Sequence, residues 1–147
     1  MRVGLLLLPF LIGAMIPFQT AFNNRLGRGL GSYLQAAAIS FIVGTTALLI
    51  VLPFTTRWPG AAKVAAIPWW AWLGGVLGAT FVAAITALRS HLAMSELIIL
   101  VIAGQIAASL ALDHFGLLGS ERRPVAPSHL LGVLLVLAGA SLVTRGR

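Results

Sequence analysis

Five stretches of this chain hold almost nothing but apolar side chains: residues 3–22, 34–54, 69–88, 93–112 and 129–144. A bilayer core about 30 Å thick takes about 20 residues of helix. Four of the runs meet that length, and the fifth barely spans, with Ser128 placed to act as its N-cap. The first three carry no charge and the fourth only Glu96. None alternates with the two-residue period of a strand. The predicted fold is one all-α domain of five transmembrane helices, residues 1–147, because lipid leaves the backbone little choice but helix.

The connectors read as loops. Residues 23–32 hold two Asn, two Arg and three Gly; residues 55–68 hold Pro59, Gly60 and Pro68; residues 89–91 form a polar turn; residues 113–127 form the longest linker. The opening Met1–Arg2 and its apolar run resemble a signal peptide. However, the run exceeds a typical h-region and Gln19-Thr20-Ala21-Phe22 is a poor cleavage site, so a retained first span is expected.

Composition excludes more than it selects. Of 147 residues, 59% are hydrophobic and 9% charged, with mean hydropathy +1.01. A water-soluble domain carries about 25% charged residues, so an ordinary soluble globule is ruled out. No cysteine is present, which removes disulfides and thiolate chemistry. The acids are Glu96, Asp113 and Glu121, too few for paired-carboxylate catalysis. His91, His114 and His129 stand in separate connectors and suggest no metal site. Gly27-Arg28-Gly29-Leu30-Gly31 follows a helix rather than a strand, so it is no dinucleotide fingerprint. An enzyme, a cofactor and a nucleic-acid partner are therefore not expected; the expected surroundings are a lipid bilayer.

The net charge is +7, but the basic residues are spread as membrane-flanking anchors. With five spans, Arg2, Arg57, Lys63, Arg122 and Arg123 fall on one side, and Arg25, Arg28, Arg89, Arg145 and Arg147 on the other. Orientation follows a Lys/Arg excess on the cytoplasmic side, and this tally is balanced. Copies inserting both ways and pairing antiparallel would explain it; a separately encoded partner of fixed orientation is the alternative.

Polar residues inside the runs are the candidate chemistry. Gln19 and Asn23 share a helix face, and amides in hydrocarbon should face protein or a water-filled cavity. Asn24 reads as a helix terminator at the interface. Gln105, Ser109 and Asp113 lie within about 80° of one another on the fourth helix, a polar track. Glu96 falls on about the opposite face, one turn from the helix start. It is either a coupling-ion site or an acid favoured by the helix dipole. Trp69 and Trp70, with Trp72 beside them, form either an interfacial belt or an aromatic wall to a substrate mouth. Ala36, Ser40 and Gly44, and Gly74, Gly75 and Gly78, are small-residue surfaces suited to helix packing.

The run Gln19…Asn23-Asn24-Arg25-Leu26-Gly27, then Gly31-Ser32 and Ser40-Phe41…Gly44, resembles the opening of the YdcZ-like family of the drug/metabolite transporter superfamily. Trp69-Trp70-Ala71-Trp72-Leu73-Gly74-Gly75 resembles its third span. Gly104-Gln105…Ser109…Asp113-His114-Phe115-Gly116, with Arg123-Pro124 and Gly132, resembles its last two. The likeness runs from about Gly13 to Gly139. It implies a half-size transporter, five helices where larger relatives carry ten as inverted halves. The small multidrug resistance proteins of the same superfamily use a first-span glutamate, which this chain lacks. Glu96 stands where the family implies a small or apolar residue. Taken together, the expectation is a small-molecule secondary transporter subunit working by alternating access as an antiparallel dual-topology homodimer. The expected path is Gln19, Asn23, Gln105 and Ser109. A passive pore and a non-transporting assembly subunit are the rival readings.

Overall fold

The computed structural model describes residues 2–145, and side chains from 7 to 143. Of the charge tally, Arg147 and the side chains of Arg2 and Arg145 lie outside the described residues. The helices are α1 (Arg2–Leu30), α2 (Tyr33–Thr55), α3 (Ala61–Ala65), α4 (Leu73–Leu88), α5 (Met94–Phe115) and α6 (Pro127–Arg145). A 3₁₀ turn, Trp69–Trp72, leads into α4. No strand occurs among the described residues. By length and composition, Tyr33–Thr55, Trp69–Leu88 and Met94–Phe115 can each cross a membrane, and Pro127–Val143 is a shorter apolar helix. The chain forms two compact units, residues 1–91 and 92–147.

In the first unit α1, α2 and α4 pack on one another. Ala36 and Ala37 of α2 and Val82 and Ile85 of α4 are buried, while most Leu, Ile and Phe side chains face outward. That inversion is the expected surface of helices solvated by lipid.

The first connector is much shorter than its composition suggests. Helix α1 does not stop near Phe22; it continues to Leu30 and leaves only Gly31 and Ser32 before α2. Asn23, Asn24 and Gly27 are buried, so tertiary packing holds the last turns helical despite weak local propensity. The end is a Schellman turn: Gly31 has φ +73° and the Ser32 N–H donates to the Gly27 carbonyl at 3.0 Å. Ser32 then caps α2, its Oγ accepting the Gln35 N–H at 3.3 Å. Gly27 cannot be larger, because a Cβ there would run into the Tyr33 ring.

Asn24 is not an interfacial terminator. Among the last carbonyls of α4, those of Ile85, Ala87 and Leu88 accept the N–H groups of Arg89, Ser90 and His91. The Thr86 carbonyl accepts instead from Asn24 Nδ2 at 3.1 Å, a buried bond across 62 positions. One side chain of α1 thus caps the end of α4.

In the second unit α5 packs with α6. Helix α5 ends on Gly116 in the left-handed region, φ 62°. The linker folds back on it, with the Arg123 N–H donating to the Asp113 carbonyl at 2.7 Å and the Val125 N–H to His114 Nδ1 at 3.3 Å. Ser128 is not the cap of the last helix. That helix begins at Pro127, as suits proline in a first turn, and His129 Nδ1 accepts the Ala126 N–H at 3.1 Å.

Replacing Asn24 with Leu leaves the Thr86 carbonyl buried without a donor, at a cost of about 1–3 kcal/mol. Thermal unfolding of the detergent-solubilised protein should show a lowered midpoint; an unchanged midpoint contradicts the capping role.

Candidate substrate groove

A groove of about 700 Å³ runs between α1 and α2 within the first unit. Its α1 wall is Ile12, Met15, Ile16, Phe18, Gln19, Phe22, Asn23 and Leu26; its α2 wall is Ile39, Ser40 and Val43. These α1 positions recur at intervals of three and four, so they form one face of the helix. Pro17 lies in this stretch of α1 and lacks the N–H that would close a bond to Gly13.

Gln19 and Asn23 meet in this groove, as their spacing predicts. Asn23 is 5% exposed, and its Nδ2 is buried without a hydrogen-bond partner. Ser40 is on the opposite wall. Its place in a small-residue stripe pointed to packing, and only the juxtaposition of α1 and α2 reveals the groove position. Among the described residues, no charged side chain lines the groove. Its chemistry is therefore two amides and a hydroxyl among aliphatic and aromatic walls.

The other predicted residues sit elsewhere. Gln105 and Ser109 lie exposed on α5 in the second unit, and Asp113 is half-buried. Trp69 and Trp70 are exposed in the 3₁₀ turn before α4. At Gly44, Gly74 and Gly75 a Cβ would meet nothing within 4 Å, whereas at Gly78 it would touch the Phe41 ring at 3.6 Å. Of these glycines, Gly78 is the one in close packing within the first unit.

Glu96 is the third residue of α5, half-buried, and its Oε2 accepts the Ala93 N–H at 2.9 Å. This is half of a capping box, since Ala93 has no side-chain oxygen to complete it. The carboxylate also sits at the positive end of the helix dipole.

Changing Glu96 to Leu removes this acceptor and should cost about 1 kcal/mol of stability. Changing it to Gln keeps a carbonyl oxygen and should cost less. Circular dichroism melts of the two variants give the comparison; equal losses would mean that the oxygen does no capping.

Residues 4–142 match the family described as "Putative inner membrane exporter, YdcZ". The "Inner membrane protein YdcZ" of Escherichia coli (strain K12) is 29% identical over 143 residues, covering 95% of each chain. No solved structure matches. A family match over almost the full length, on apolar helices long enough to cross a bilayer, places this chain in the YdcZ family of membrane proteins.

Proposed function

We propose that the chain is a subunit of an inner-membrane small-molecule exporter with five transmembrane helices, half of a ten-helix assembly. Two copies insert in opposite orientations and pair antiparallel. The α1–α2 groove supplies one part of the substrate path, through Gln19 and Asn23. Gln105 and Ser109 on α5 supply a second part, and Trp69 and Trp70 flank one mouth. Transport proceeds by alternating access, as rocking of paired inverted units about a central site allows.

The observation that carries this reading is the groove: a ligand-sized, largely apolar hollow with a few polar groups, in a chain of an exporter-described family. The balanced Lys/Arg tally supports paired orientations, since neither side holds the excess that fixes insertion. The uncovered Gly44, Gly74 and Gly75 offer close-approach surface for a second copy. Glu96 is assigned first to the start of α5. A coupling role is the second reading, and Glu96→Gln separates the two, because it retains the oxygen but removes the charge. Under the capping role, transport by this variant keeps its pH dependence.

Reporters fused to the C-terminus should give signal from both sides of the membrane, and two added lysines at one end should skew the ratio. Signal from one side alone rejects dual topology. Proteoliposomes loaded with a panel of neutral and charged fluorescent solutes should show saturable efflux accelerated by solute outside. Linear flux without this acceleration is the behaviour of a pore, and no flux at all that of an assembly subunit.

A further inference from the structure

We infer that the α1–α2 groove selects uncharged, ring-bearing molecules that carry a hydrogen-bond acceptor such as a carbonyl, and that Asn23 is the residue that reads the acceptor. The inference rests on the proposed transport role and adds the chemical class of the substrate.

The argument starts from Asn23 Nδ2. A buried amide N–H without an acceptor costs about 1–3 kcal/mol, and native structures hold few such groups without a reason. Asn24, the next residue, has the same side chain and donates to Thr86; Asn23 has no such partner for its Nδ2. Asn23 is also part of the groove wall. Its terminal torsion is broad and roughly two-fold, so rotation about it is the route by which the buried N–H meets a ligand in the groove. An incoming acceptor then removes a penalty already present in the empty protein, whereas an apolar ligand of the same shape leaves it in place.

Charge sets the other limit. Among the described residues, the groove has no carboxylate to hold a cation and no Lys or Arg to hold an anion. A charged solute would shed its hydration there against amides and hydrocarbon alone, which is expensive. Phe18 and Phe22 provide aromatic faces suited to a flat ring.

The probes are four naphthalenes of similar size: 2-acetylnaphthalene, 2-ethylnaphthalene, the (2-naphthylmethyl)trimethylammonium ion and 2-naphthoate. Equilibrium dialysis against the whole purified chain in detergent, with empty micelles subtracted, measures binding. The ketone should bind about tenfold more tightly than the ethyl compound, the worth of one hydrogen bond of about 1.4 kcal/mol, and both ions should bind least. Asn23→Leu should erase the ketone preference and raise the melting temperature, because it removes an orphaned donor. Asn23→Asp should shift preference toward the cation.

No preference for the ketone, a preference that survives Asn23→Leu, or a natural chain that binds either ion best overturns the inference. A lowered melting temperature in Asn23→Leu also overturns it, since Asn23 would then be a structural residue. If proteoliposomes transport solute with saturation and Asn23→Leu changes nothing, this selectivity fails while the transport reading stands. A ketone preference without flux supports the selectivity and removes the transport role.

Discussion

Hydrocarbon offers no hydrogen bonds, so the polar atoms within the spans of this chain must find partners in protein. The fold follows from how that demand is met. Hydroxyls turn back onto their own helices: Thr20 to Ile16 at 2.9 Å, Thr46 to Ile42 at 2.8 Å and Thr80 to Val76 at 2.9 Å. Helix ends are closed by side chains reaching short distances, Ser32 at α2, Glu96 at α5 and His129 at α6. Asn24 reaches furthest and joins α1 to the end of α4. In lipid no water stands ready as a substitute for a cross-helix polar bond such as that of Asn24.

The long helical segments were legible because each is built on one apolar run, whereas α3, five residues with Lys63 among them, falls in a stretch that reads as a loop. Their ends were less so. Asn, Arg and Gly between positions 23 and 31 have loop propensities, yet α1 passes through most of them. What keeps it helical is burial of Asn23, Asn24 and Gly27, with Asn24 bonded to Thr86 far along the chain, and a local pattern cannot express that. The last helix starts at Pro127 instead of after Ser128 because His129 serves as the acceptor for the preceding N–H. Histidine at that position is an unusual stand-in for the Glu or Gln of a capping box.

The site divides the same way. A spacing of four placed Gln19 and Asn23 on one face, which helical geometry alone guarantees. That Ser40 stands across from them depends on which face of α2 meets α1, a tertiary fact. Glu96 illustrates a position where burial and chemistry pull apart. As an acid in an apolar run it has the chemistry of a coupling-ion site, and its bond to Ala93 gives the charge a local use at the helix start.

The contrast between Asn23 and Asn24 bears most directly on function. The two are adjacent, chemically identical and both buried, so composition and propensity treat them alike. One amide is spent on holding α1 to α4, and the other leaves its donor unspent beside a groove. A fixed bond holds two helices in register, and an unsatisfied donor has an energy that differs between an empty and an occupied groove. A ligand shifts a conformational equilibrium only by its difference in affinity for the two states. With no charged side chain lining the groove among the described residues, the orphaned N–H is one feature through which that difference can arise. Met15, Phe18 and Phe22 on the α1 wall are also largely exposed, so α1 and α2 leave the groove open on that side.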